Sequence, residues 1–512
     1  MQADLILHGG RVWTVDPANP EARAVAVAGK RIVAVGSDDE VLALRGTATE
    51  LVDLRGRLLL PGFIDAHTHF GNAAAWVSQV GLYQAEGPQA ALALLSAAVR
   101  RMPEGHWITG IPAPQAIDRA ALDAIAPRHP MVLRRADGSV VANSAAFARA
   151  RFHGDPSGIL VGRAGERMFE LMPPQTLERR LVGARVALED LARAGITSIH
   201  DVARDDALSQ RHIFHTDVER SATDLELFRE LQRRGQLTVR VYAFLTLPLW
   251  RDVVAAGVRP RTDEGLIRFG ALKAFVDGFL MEDGGDFTFR FTDEATMAAD
   301  VAAADAAGFD PVIHTIGDKA HRLLLDWYEA AIAANPPRDR RFRVIHAFYP
   351  SAREVERIGR LGLVVDVTPQ QLVNDVATVE GRVGPERAAR AHPWRELIDA
   401  GARLDLVSDW PGSYNEQRRT PLAPIENVAL AVTRDWHPEQ RLTVEEAVAA
   451  YTRDPAYASY EEDRKGTITA GKLADLVVLS RDILALPAAE IGRTEVDLTV
   501  LGGRVVHRRA VS

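Results

Sequence analysis

Between Pro61 and Ser408, short apolar runs alternate with longer amphipathic stretches, and this rhythm constrains the fold more than any other feature of the chain. The runs 61–67 (PGFIDAH), 196–200 (ITSIH), 237–245 (LTVRVYAFL) and 267–276 (IRFGALKAFV) read as strands. So do 310–314 (DPVIH), 342–346 (FRVIH), 361–367 (LGLVVDV) and 402–408 (ARLDLVS). Stretches at 294–307, 318–334, 351–360 and 386–400 carry helical periodicity and separate them. Eight strands in βα alternation predict an α/β fold, a (β/α)8 barrel of the TIM type. Such barrels carry their chemistry at the C-terminal ends of the strands, so those ends are the place to look.

Two irregularities predict the domain organisation. About 125 residues separate the first and second strands, far more than one helix needs. Residues 76–169 are therefore expected to form an inserted subdomain over the barrel mouth. The two ends of the chain also resemble each other. Residues 4–14, 23–35 and 50–60, and again 473–480 and 496–507, read as short strands with glycine-rich turns. A composite β-sandwich built from 1–60 and 460–512 follows from the tendency of termini to meet, leaving 61–75 and 170–459 for the barrel.

The strand ends carry one kind of residue repeatedly. His67 and His69 close the first strand in GFIDAHTHF, and residues two apart on a strand point the same way, so both imidazoles can face the barrel axis. Alone, that pair is a weak signal. Three more strands then end in His314, His346 and Asp409. A lone histidine after an apolar strand is more often a hydrogen-bonded core residue than a ligand; four histidines and an aspartate at one predicted rim point to a metal centre. The chain has no cysteine, which excludes disulfides, thiol nucleophiles and iron–sulfur clusters and leaves nitrogen and oxygen ligands.

Lys273 is the unexpected member. Alternation places Phe269, Ala271 and Phe275 on its strand face, and burying an ammonium there is costly unless it is neutralised or modified. Only five of the 61 basic residues are lysine, which makes this one conspicuous. Two readings stand: a carbamate formed with CO2 that bridges two divalent ions, or an ordinary lysine paired with Asp277 or another carboxylate at the strand's end.

This set of residues resembles the amidohydrolase superfamily, in which a metal-binding barrel carries H-x-H on its first strand, a lysine on the fourth, histidines on the fifth and sixth and an aspartate on the eighth. The resemblance covers nearly the whole chain, including the closing GTITAGKLADLVVLSRD. Within the superfamily it points to the branch that includes N-substituted formamide deformylase, through KAFVDG, HTIGDKA, GPERAAR, SDWP, PLAPIENVALAVTR and AVAAYTRDPAYA. It implies His67, His69, Lys273, His314, His346 and Asp409 as ligands of two divalent ions, with Lys273 carboxylated. Imidazole ligands favour zinc, and mixed nitrogen and oxygen sites also accept manganese, iron or nickel. The implied reaction is hydrolysis of a C–N bond, an amide and in particular an N-substituted formamide, by a metal-bridged hydroxide. Asp409 would move the proton from water to the leaving nitrogen. Two departures stand out: Ser139 in DGSVVANS, where the branch has histidine, touches the substrate contacts, and Ile345 before His346, where it has glutamate, touches only the neighbourhood of a ligand. A deaminase, or a cyclic-amide or ester hydrolase on the same barrel, is the alternative; a catalytically inactive binding homologue is disfavoured because all six ligand positions are filled.

Trp410 and Gln370 are candidate substrate contacts, Trp410 equally as a wall of its loop. Gln371 lies beside the second, His200 and Asp201 end the second strand as supporting residues, and His321 belongs to a helix face. His212 and His215 fall in a polar loop that could cover the site. A net charge of −8 without basic blocks argues against nucleic acid, and the sequence has no apolar run of membrane-spanning length. A cytoplasmic, dimeric enzyme acting on a small amide is the expectation.

Overall fold

The computed structural model describes residues 2–76, 79–82, 85–135, 139–152, 156–171, 176–203, 223–277, 281–282, 293–411 and 422–510. Its centre is an eight-stranded sheet in which every neighbouring pair is parallel. The strands are Phe63–Thr68, Ile196–Val202, Arg240–Thr246, Ile267–Phe275, Asp310–Thr315, Arg343–His346, Val364–Val367 and Arg403–Leu406, in chain order around the sheet. All eight expected runs are strands. The first and eighth meet at their C-terminal ends through a Thr68–Trp410 bridge. Lower down, the backbone of Ala450 and Tyr451 fills the seam, accepting hydrogen bonds from Leu406 and Ile64. The result is a nearly closed TIM-type barrel.

Its inner face is apolar at mid-height, where Val202, Tyr242, Phe244, Ala271, Val312 and Ile345 form one buried cluster. The fourth strand departs from simple alternation. Its register slips between Phe269 and Ala271, so Phe269 joins the outer cluster with Leu272 and Ala274 while Ala271 turns inward. The expectation that Phe269 shares the face of Lys273 is therefore corrected, and Gly270 is the reason. A side chain at Gly270 would run into the Tyr242 hydroxyl.

Helices fall where periodicity placed them at Glu294–Ala306, Asp318–Ala334 and Ala352–Arg360. The first starts on an Asp293 cap that accepts the Thr296 N–H at 2.9 Å. The stretch 386–400 is two short helices, Pro385–Ala388 and Trp394–Asp399. His392 takes a left-handed backbone (φ 55°) just before Pro393, and proline cannot continue a helix.

The termini interleave. A four-stranded sheet is made by Ala3–His8, Ala24–Ala28, Arg31–Gly36 and Arg45–Asp53. A six-stranded sheet pairs Leu58–Pro61 antiparallel with Leu476–Leu479. Alternation then serves two cores. Leu59, Leu476 and Val478 pack with Leu5, Leu7, Val25 and Val27 of the other sheet. Leu58, Leu60, Val477 and Leu479 pack with Phe63, Leu188 and Leu191 of the barrel. The segment after the first barrel strand carries a separate five-stranded sheet, of which Met131–Arg135 and Val140–Ala142 are members. Sequence reasoning placed strands of this kind only at the termini. No helix among the described residues is long and apolar enough to cross a membrane.

Candidate metal centre

The seam of the barrel builds the first half of the site. Asp409 N–H donates to His67 O at 3.0 Å and His69 N–H to Trp410 O at 2.7 Å, so the first and eighth strands hold their ends in fixed register. Asp409 itself adopts a left-handed backbone, φ 55°. Its Oδ1 thereby lies 3.3 Å from His67 Nε2 and 3.1 Å from His69 Nε2. One ligand atom from each of the three falls within 4.8 Å of the others. The second half adjoins it. The His67 and His346 rings have centroids 5.9 Å apart, and those of His346 and His314 are 4.5 Å apart. Four imidazoles and a carboxylate thus form one continuous group.

Their protonation suits metal binding. Burial drives His67 and His314 well below the ordinary imidazole value and His346 to about 4, leaving neutral rings with lone pairs to donate. Burial alone would raise the Asp409 carboxyl, but hydrogen bonds from His67 and His69 outweigh it and hold the group well below the usual carboxylate range. Lys273 is 3% exposed and its Nζ has no hydrogen-bond partner among the described residues. The amine lies 4.5 Å from the centroid of the Phe275 ring. Burial lowers its pKa to about 7, opposed by the charges of Asp409 and Asp366. Asp277, the alternative partner, is engaged elsewhere: its carboxylate accepts the N–H groups of Ile316 at 3.0 Å and Gly317 at 2.9 Å, in the loop after His314.

Carboxylates that sequence reasoning did not single out, or assigned differently, support these ends. Asp65 accepts the N–H groups of His67 and Ser408. Asp201 accepts from Thr68 Oγ1 at 2.9 Å and from Phe70 N–H at 2.6 Å, fixing the turn that follows His69. Beneath the site, buried Arg343 donates to both oxygens of Asp366 at 2.6 Å and to Ala66 O at 2.9 Å, and meets His200 Nδ1 at 2.9 Å. Asp366 and Asp405 are charged residues inside apolar strands, and that was the signal available for them.

The remaining candidates are placed as follows. Trp410 is half-buried against the main core, and its backbone closes the barrel. Gln370 and Gln371 are half-buried in the first turn of the helix Pro369–Asp375. His321 is buried, with Nδ1 2.6 Å from Gly317 O. Ser139 is buried, its carbonyl accepting the Arg135 N–H at 2.8 Å. The nearby Asn143 caps the helix Ser144–Ala150. Ile345 fills the barrel interior rather than the site. His212 and His215 lie outside the described residues.

Fold and site together define a metal-dependent hydrolase barrel. The comparisons give it a family: residues 50–507 match the model of the amidohydrolase family, and the chain belongs to it. It is 28% identical to Protein LONG AFTER FAR-RED 3 of Arabidopsis thaliana, over 93% of this chain and 87% of that protein. It is 27% identical to N-substituted formamide deformylase of Arthrobacter pascens, over 99% of each. Among solved structures, a metal-dependent hydrolase of Pyrococcus furiosus superposes with a TM-score of 0.72 at 24% identity, covering 94% of this chain and 99% of that one. An atrazine chlorohydrolase of Arthrobacter aurescens complexed with zinc superposes at 0.57 with 17% identity, covering 98% and 95%.

Proposed function

We propose that this chain is a binuclear hydrolase that cleaves the C–N bond of an amide, with N-substituted formamides as the class to test first. The Lys273 amine carries the reading: it is buried, without a hydrogen-bond partner among the described residues, and its charge acts on His67, His314 and His346. An amine with a pKa near 7 is about half in the neutral form that adds to CO2 at neutral pH. Its nitrogen lone pair forms the N–C bond, one N–H proton leaves, and an anionic carbamate results. That carbamate would complete a donor set with the four imidazoles and Asp409. Divalent ions held there, zinc by ligand preference, would polarise a carbonyl and make water acidic enough to attack near neutral pH. Asp409 takes the proton of the attacking water and returns it to the leaving nitrogen. Trp410 and Gln370 face the substrate in this reading, and residues 76–169 shape its entrance. The terminal sheets (1–60 and 460–512) form a supporting β-sandwich, and the enzyme works as a cytoplasmic dimer. The formamide deformylase relative supports the substrate class.

The test is metal content per chain with intact mass in bicarbonate, followed by hydrolysis of N-substituted formamides against the matching acetamides. About two ions per chain and a mass gain of one CO2 are expected for a bridged pair. One ion without added mass would replace this reading with a mononuclear, deaminase-like site. Absence of any bound metal would leave a binding protein.

A further inference from the structure

We infer that Tyr349, Asp375 and His392 form a buried brace that sets His346 in the metal centre. This positioning role rests on the reading of His346 as a ligand. The sixth strand ends in two consecutive left-handed residues, His346 (φ 76°) and Ala347 (φ 48°). Neither is glycine, and such a backbone persists only where its surroundings over-determine it. Phe348 follows at once. Its ring centroid lies 5.2 Å from that of His346 on one side and 4.5 Å from that of His392 on the other, so it is a wedge between the two imidazoles.

The wedge is held from behind. His392 N–H donates to Phe348 O at 2.8 Å, and Tyr349 N–H to Ile316 O at 3.1 Å. His392 is itself left-handed and fully buried. Its Nε2 lies 3.1 Å from Asp375 Oδ2, and the Tyr349 hydroxyl donates to that same oxygen at 3.1 Å. Arg434 Nη1 adds a bond to His392 O at 3.0 Å. The brace therefore joins the loop after the sixth strand to the helix after the seventh. A purely apolar filling would avoid the cost of burying an imidazole, a phenol and a carboxylate. What the two bonds to Asp375 add is direction, admitting one arrangement although His392 Nδ1 has no partner among the described residues, and the residue whose arrangement they fix is two positions from His346.

Zinc affinity of the metal-free full-length protein, measured by competition with a chromophoric chelator, tests this. Tyr349→Phe, Asp375→Ala and His392→Ala are expected to weaken binding by up to about tenfold, the lower end of what losing a supporting partner costs a metal-ligating histidine. His392→Gln keeps a donor for Asp375 and is expected to recover most of the loss. Tyr349→Phe removes a single oxygen, so it reports on the brace in a folded protein. Wild-type zinc affinity in the three variants, even with lowered melting temperatures, would overturn the brace, provided His346→Ala loses affinity in parallel. If His346→Ala binds zinc like the wild type, the ligand reading falls and the brace with it.

Discussion

Asp65 Oδ1 accepts the Ser408 N–H at 3.1 Å, a hydrogen bond between residues 343 positions apart. The same oxygen accepts the His67 N–H at 3.3 Å. One buried carboxylate thus ties the His67 end of the first strand to the residue before Asp409. Asp65→Ala would leave two buried N–H groups without an acceptor, at about 1–3 kcal/mol each. The expected outcome is a lower melting temperature together with roughly 10–100-fold weaker zinc binding. Asp65→Asn retains an acceptor oxygen and should keep most of both. Thermal melts and chelator competition on the two variants decide it, and an unperturbed alanine variant would remove the latch.

Asp409 has a different weakness. Its Oδ1 sits within 3.3 Å of both His67 and His69 Nε2, and an amide oxygen can occupy the same place. What asparagine lacks is the ability to take and return a proton. Asp409→Asn is therefore expected to keep most of its metal while turnover falls by about 10²–10⁴. Metal analysis and steady-state kinetics on one preparation measure both. Wild-type turnover in this variant would assign the proton transfer elsewhere.

Acid should weaken the metal-free fold through His321. Burial lowers this histidine from 6.5 to about 4, against a hydrogen bond with Gly317. Above pH 6.5 the ring is neutral in the folded and unfolded chain alike, so the full contribution is present. Between 6.5 and about 4 the unfolded chain takes up a proton that the folded chain excludes, and stability falls as pH falls. Each unit of that interval is worth about 1.4 kcal/mol. His200 and His392, also lowered by burial, act in the same direction. Urea melts at pH 7.5 and pH 5 should show a smaller acid loss in His321→Gln than in the wild type; equal losses would exclude His321 as a source.

Legibility followed the range of the interactions. The eight strands were readable because apolar runs and their helical separators are local patterns, and His67, His69, His314, His346 and Asp409 were readable because each ends such a run. Asp65, two residues before His67, stands in the same apolar run, yet its partner Ser408 lies on the far side of the chain, and nothing local announces that bond. The Asp277 pairing failed for the same reason: its acceptor role is set by backbone donors at Ile316 and Gly317. The split helix at 386–400 reflects backbone geometry at His392 that a hydrophobic period cannot express.

Gly270 gives the sharpest case, because one residue sets the phase of the strand that carries Lys273. The register slip beside it turns Phe269 outward and brings Ala271 inward, and alternation from Ala271 then delivers Lys273 to the interior. A methyl group at this position would collide with the Tyr242 hydroxyl, on a ring buried between His200 and Phe244. That ring has little room to yield, so the strand must shift. Gly270→Ala is expected to cost about 1–3 kcal/mol, the usual range for overpacking a filled core. It should also lower metal content, because Lys273 moves with the strand. Gly270→Ala combined with Tyr242→Phe, which removes the colliding oxygen, should recover part of both. Urea melts and metal analysis of the single and double variants provide the measurement; a single variant as stable and as metal-rich as the wild type would show that the strand's phase is set elsewhere.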